Sequence, residues 1–255
     1  MRDLTVSLIQ AELAWEDPEA NREAFSARIE ALPAAVDLIV MPEMFTTGFS
    51  MTAARLAEAP GGATQGWMQS IARQRDCALA GSVVVAEGDA VFNRMLFVTP
   101  EGCEHYDKRH LFRMAGEHGP YTAGDRRVVV NWRDWRIKLE ICYDLRFPVF
   151  TRNRGDYDLL LNVANWPDRR AAHWRALLRA RAIENQACVV GVNRVGADPN
   201  GHNYSGDSLA FDASGACLAD LGRESAAATV RFAADALQAY RERFPFQLDA
   251  DEFQL

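Results

Sequence analysis

The sequence predicts an α/β fold, on two observations. Apolar runs of strand length alternate along the chain with longer segments that carry one apolar stripe at helical spacing. Several of those runs are apolar throughout, the mark of strands covered on both faces. No repeat, low-complexity tract or linker breaks the pattern, so residues 1–255 are read as a single domain, long enough to bury a substantial core.

The elements follow in order. "LTVSLIQ" reads as a first strand. Asp17-Pro18 has the form of an N-cap followed by proline at the first helical position, and Phe25, Ile29 and Leu32 give that helix its apolar stripe. "DLIVMPE" is a short continuous apolar run, hence a buried strand ending at Glu43. "GWMQSIARQRD" reads as a helix with Trp67, Met68 and Ile71 on one side. "CALAGSVVVAEGDAVFNRMLFVTPEG" reads as a hairpin turning at Glu87-Gly88-Asp89. In "WRIKLEI", Ile137, Leu139 and Ile141 alternate with Arg136, Lys138 and Glu140, a strand with one buried face. "YDLLLNVAN" is a further strand, and "DRRAAHWRALLRARAIENQ" a helix with Trp174, Leu177 and Leu178 inward. "CVVGVNRVG", "SGDSLAFDASG" and "AAATVRF" read as strands. "ADALQAYRERF" closes as a helix before an acidic tail.

Composition narrows the function. Hydrophobic residues at 49% and charged residues at 25% are ordinary for a soluble globular protein. A net charge of -7 leaves no basic excess to neutralise phosphates, so no nucleic-acid partner is expected. Five cysteines without framework spacing indicate a reducing compartment, and no run reaches membrane-spanning length. A cytoplasmic protein without a membrane partner is the expectation. Neither a G-x-G-x-x-G nor a G-x-x-x-x-G-K-[ST] nucleotide loop is present. The histidines lack the spacing of a zinc site, and no metal or cofactor is expected.

Three apolar strands end in polar residues: Glu43, Cys142 and the pair Asn165-Trp166. Ligands of open α/β sheets gather outside the carboxyl ends of strands, so the three ends are candidates for one pocket. Cysteine is usually a small core residue, the reading for Cys77, Cys103, Cys188 and Cys217. At a strand-to-helix turn before Pro148, Cys142 is either that or a nucleophile. A helix N-terminus and a nearby ammonium lower a thiol's pKa and favour attack on a carbonyl or nitrile carbon. Lys108 in "HYDKRHLF" would supply the positive charge, Glu43 would move the proton, and Glu117 would hold the lysine. By the bland reading, Glu43 is a solvated strand end, Lys108 part of a charged surface and Trp166 plain core. Arg181, on the apolar face of its helix, is read as a buried structural ion pair.

These segments together resemble the nitrilase superfamily of thiol-dependent carbon–nitrogen hydrolases. The resemblance is carried by "MPEMFTTGFS", "YDKRHLF" and "EICYDLRFP", in that order, with "LLLNVANWP", "RARAIENQ" and "GDS…DASG" after them. "CYDLRFPV" and "NVANWP" are similar to the ω-amidase branch. The resemblance implies a four-layer α-β-β-α sandwich that pairs as a homodimer. It implies hydrolysis of small ω-amides of keto or dicarboxylic acids with water, through a thioester. In those roles Glu43 matches the general base, Lys108 the oxyanion-stabilising lysine, Cys142 the nucleophile and Glu117 the second glutamate. The backbone N–H of Tyr143 would be a second oxyanion donor, and Trp166 would wall the pocket. Arg113 and Arg146 are the candidates to bind a substrate carboxylate. Nitriles, N-carbamoyl compounds and a non-catalytic binding role are the competing readings.

Overall fold

The structure, a computed structural model, describes residues 1–252, so the last three residues of the acidic tail lie outside the described residues. The first half of the chain forms β1 (Leu4–Gln10), α1 (Pro18–Glu30), β2 (Leu38–Val40), α2 (Ala53–Leu56), α3 (Ala63–Arg75), β3 (Ala78–Glu87), β4 (Ala90–Val98) and β5 (Cys103–Asp107). The second half forms β6 (Val129–Trp132), β7 (Trp135–Ile141), α4 (Pro148–Thr151), β8 (Leu159–Ala164), α5 (Ala171–Asn185), β9 (Cys188–Asn193), β10 (Val195–Ala197), β11 (Asn203–Ser205), β12 (Leu209–Phe211), β13 (Cys217–Asp220), β14 (Ala226–Phe232) and α6 (Ala234–Arg243).

Among the described residues, strands build two six-stranded sheets, ordered β14-β1-β2-β3-β4-β5 and β13-β12-β9-β8-β7-β6, plus the ribbon β10-β11. Each sheet is parallel at its centre (β1-β2-β3; β7-β8-β9) and antiparallel at its edges. The sheets face each other. Leu4, Val6, Leu38 and Val40 of one meet Ile137, Leu139, Leu159 and Leu161 of the other in a single apolar cluster. Ile39 and Met41 point the opposite way, into a second cluster with Phe25 and Ile29 of α1 and Met68 of α3. This two-sided burial is why Leu38, Ile39, Val40 and Met41 run apolar without a break rather than alternating. On the outer face of the second sheet, α5 packs Trp174 and Leu178 onto Gly191 of β9, where a Cβ would lie 2.4 Å from Leu178 Cδ1. Mixed sheets packed face to face between helix layers give the four-layer α-β-β-α sandwich expected above.

The Asp17 cap holds, its side chain accepting the Ala20 N–H at 3.1 Å. Other expectations are corrected. Of "DLIVMPE" only Leu38–Val40 is strand, because the chain turns after Met41 and reaches a positive φ at Met44. "CVVGVNRVG" breaks at Arg194, whose buried guanidinium donates to the Val195 and Ala197 carbonyls (both 3.1 Å) and diverts the chain into the ribbon. Lys138 and Glu140 do not face solvent. They are buried and paired with each other, the ammonium 4.1 Å over the Phe150 ring. Cys77 and Cys188 are core, whereas Cys103 is half-buried and Cys217 exposed, both lying on edge strands. Arg181 does form the expected ion pair, to Glu184 at 2.7 Å.

Candidate active site

The residues singled out at strand ends converge where the two sheets meet. Glu43 lies on the turn after β2, and that turn is stitched to β3: Met41 N–H donates to the Ala80 carbonyl at 2.8 Å and Met44 N–H to Ser82 Oγ at 2.8 Å. Gly81 permits this closeness, since a Cβ there would stand 2.9 Å from the Phe45 ring. Lys108 follows edge strand β5, its backbone anchored by an N–H donated to the Asn93 carbonyl at 3.0 Å. Glu117 sits on a loop it helps to fold, accepting the Phe112 N–H.

All three side chains are fully buried. The Lys108 ammonium donates to Glu43 Oε1 at 2.8 Å and to both oxygens of Glu117 at 3.0 Å. Asn93, mid-strand in β4, donates to Glu43 Oε1 at 2.8 Å and to Glu117 Oε1 at 3.2 Å, while its Oδ1 accepts from Ser82 Oγ at 2.8 Å. The second Glu43 oxygen accepts the backbone N–H of Asn165 at 2.7 Å, from the end of β8. Every carboxylate oxygen of this cluster thus has a donor, as burial requires.

Cys142 opens a 3₁₀ turn, Cys142–Arg146, directly after β7, and takes a left-handed φ of 47°. Such a φ in a non-glycine residue costs about 1–3 kcal/mol and persists only where its surroundings enforce it. The charges of Glu43 and Lys108 both act on its thiol. Burial first, then the Glu43 charge, pushes the thiol well above its ordinary value, with Lys108 opposing. The lowering by a helix N-terminus is not found, because α4 begins six residues later and the 3₁₀ turn intervenes. The sulfur therefore rests under the opposed influence of a carboxylate and an ammonium. Burial disfavours the Lys108 ammonium, yet Glu117 and Glu43 more than offset this and hold it above the ordinary lysine range. Burial raises the Glu117 carboxyl against the pull of Lys108.

Cys142 opens onto a pocket of about 120 Å³ whose lining includes Phe49, Phe112, Tyr143, Trp166 and Tyr204. Arg146 and Arg170 line it too, stacked over the Trp166 ring at 4.6 Å and the Phe112 ring at 5.2 Å. A thiol, a carboxylate to take its proton, an ammonium and a largely aromatic pocket wall can together perform acyl transfer without a metal. Among the described residues no group of three or more His, Cys, Asp or Glu side chains could hold a metal ion, and no helix is long and apolar enough to cross a membrane.

The sequence pattern of the family described as carbon-nitrogen hydrolase matches residues 5–242. This chain belongs to the carbon–nitrogen hydrolase family. It is 50% identical to the omega-amidase YafV of Yersinia enterocolitica over all of both chains. It is 34% identical to the 2-oxoglutaramate amidase of Bacillus subtilis, covering 86% of this chain and 87% of that one. Among solved structures it resembles XC1258 from Xanthomonas campestris, a CN-hydrolase superfamily protein with an arsenic adduct in its active site: TM-score 0.98, 46% identity, 100% of each chain.

Of the positions singled out in advance, this carbon–nitrogen hydrolase brings Glu43, Lys108, Glu117 and Cys142 into one cluster and places Tyr143 and Trp166 on the pocket wall. Trp166 is fixed by its indole N–H donating to the Arg170 carbonyl at 2.8 Å. Arg146 reaches the pocket; Arg113 is exposed on a separate 3₁₀ turn and is not among the lining residues. Sequence reasoning passed over Asn93, Ser82, Arg170 and Tyr204. For Asn93 there was a signal, an amide in the middle of the apolar run "VFNRMLFV". Arg170 gave none, standing in a charged stretch that resembles any helix start.

Proposed function

We propose that this carbon–nitrogen hydrolase releases ammonia from small ω-amides of keto or dicarboxylic acids. The observation that carries the reading is Cys142 beside a Glu43–Lys108–Glu117 cluster, in a pocket also lined by Arg146 and Arg170. The likeness to an omega-amidase and a 2-oxoglutaramate amidase supports it. Glu43 takes the Cys142 proton, and the thiolate adds to the amide carbon. The oxyanion rests between the Lys108 ammonium and the Tyr143 N–H. Glu43 returns the proton to the departing nitrogen, so that ammonia leaves a thioester. It then takes a proton from water, whose oxygen adds to the thioester carbon. Collapse expels the sulfur, which is reprotonated, and frees the acid. Glu117 touches no reacting atom and fixes Lys108.

Arg146 and Arg170 bind the remote carboxylate, held by stacking on rings rather than by acid partners, which leaves their charge for the ligand. Arg146→Ala is expected to raise KM for 2-oxoglutaramate about tenfold or more, the scale of a charged hydrogen bond, while Arg113→Ala leaves it unchanged. Parallel assays with a nitrile, an N-carbamoyl amino acid and an uncharged amide test the class. Faster turnover of any of these than of 2-oxoglutaramate refutes the ω-amide reading.

The protein is read as a cytoplasmic homodimer. Free cysteines suit a reducing compartment, and Ile183, Phe244, Phe246 and Leu248 leave apolar surface exposed. Sedimentation at a mass near 28.4 kDa would contradict the dimer.

A further inference from the structure

Asp144, two residues after Cys142, is fully buried and is not among the residues that line the pocket. Four donors converge on its carboxylate. One oxygen accepts the His110 backbone N–H at 3.0 Å and the His110 ring at Nδ1 at 2.7 Å. The other accepts the Tyr106 hydroxyl at 2.7 Å and the Ile141 N–H at 2.9 Å. Tyr106 in turn accepts the Arg109 N–H at 3.1 Å. The donors therefore come from two sides: Ile141 precedes the nucleophile, whereas Tyr106, Arg109 and His110 flank Lys108 before and after. The His110 ring lies flat on Phe147, centroids 3.8 Å apart, and Phe147 abuts Tyr143.

We propose that Asp144 is a positioning residue that sets the Cys142 sulfur against the Lys108 ammonium by gripping the nucleophile turn and the lysine loop with one carboxylate. The inference rests on Cys142 and Lys108 being the reacting pair. Cys142 holds a left-handed φ, and such a conformation needs outside restraint. The bond from Ile141 N–H back to Asp144 closes that turn over three residues. Lys108 belongs to the other sheet's edge, so nothing in local chain geometry fixes its distance from the sulfur. Only an acceptor with two oxygens and no hydrogens satisfies this arrangement. An amide would direct its own N–H₂ at the Ile141 or His110 donors.

The test is Asp144→Asn, with Tyr106→Phe as the milder variant that deletes one of the four bonds and keeps the ring. Asp144→Asn is expected to lower kcat for ammonia release about 100-fold with KM within about threefold, the scale of a small misplacement of reacting groups. Tyr106→Phe should lower kcat about fivefold, the worth of one ordinary hydrogen bond. In both, the midpoint of the pH dependence of Cys142 alkylation by iodoacetamide should move upward as the ammonium draws away from the sulfur. Alkylation uses no amide, so it reads the geometry even if the parent hydrolyses no ω-amide. A kcat per titratable thiol equal to the parent's in either folded variant overturns the proposal, even alongside a lower melting temperature. So does an alkylation midpoint that stays in place. If Asp144→Asn does not fold, Tyr106→Phe decides by the same two readings.

Discussion

Cys142→Ala is expected to abolish ammonia release, a fall of about 10⁴-fold or more, because no other group in the cluster can form the covalent intermediate. The fold should survive, as the replaced side chain is small and alanine tolerates the left-handed φ about as poorly as cysteine. Glu43→Gln should also depress hydrolysis, by about 10²–10⁴-fold, the usual worth of a general base. Its effect on the thiol has the opposite sign. Burial and then Glu43 raise the Cys142 pKa, and Lys108 lowers it. Removing the Glu43 charge leaves burial and the Glu117 charge raising the thiol and Lys108 lowering it, so the thiol titrates at lower pH than in the parent. Alkylation against pH should therefore shift its midpoint downward in Glu43→Gln while turnover collapses. A variant with parent-like turnover, or a midpoint that moves upward, would remove Glu43 from the role of base.

Lys108→Met should damage activity and stability together. Loss of an oxyanion donor lowers kcat by about 10²–10³-fold. The same change strands Glu43 and Glu117, both fully buried, without their shared cation. Breaking a buried ion pair in this way destabilises by about 3–5 kcal/mol at neutral pH. The pH dependence follows from sign. A carboxyl raised above its ordinary value of 4.5, as Glu117 is, favours the folded state below that value and loses the contribution as pH climbs through the raised one. The variant's deficit in urea unfolding should therefore shrink from pH 7 toward pH 5. Lys108→Met with Glu117→Gln should regain stability but not turnover. Equal unfolding midpoints for Lys108→Met and parent at pH 7 would show that the cluster is not held by its charges.

The site was legible in the sequence where polarity contradicts its surroundings. Glu43 closes a run apolar on both faces, and Cys142 closes a strand that leads into a proline-marked turn. Lys108 was legible only through the order of motifs, because "DKR" by itself resembles a solvated surface. Asn165 was legible in the same way, at the end of an apolar run, but Asn93 was missed since its work is to satisfy Glu43 across about 50 residues of chain, a distance no local pattern spans. The thiol's pKa was not legible for a similar reason: burial and the Glu43 charge are properties of the assembled site. In the fold, long elements such as β1, β3 and α5 were plain. The edge strands β5, β6 and β13 were not, as one exposed side dilutes their pattern.

The strand that completes the first sheet is among the last to be made. β14 pairs with β1 in register from Leu4 opposite Phe232 to Gln10 opposite Ala226, closing a loop of more than 200 residues. A nascent chain on the ribosome carries Glu43 and Lys108 long before it can cover the flank of the sheet that holds them. Cys142 and Asn165 arrive later still, on the other sheet. Contacts of such long separation form late. A truncated product ending before β14 would therefore present β1 as a bare edge for aggregation.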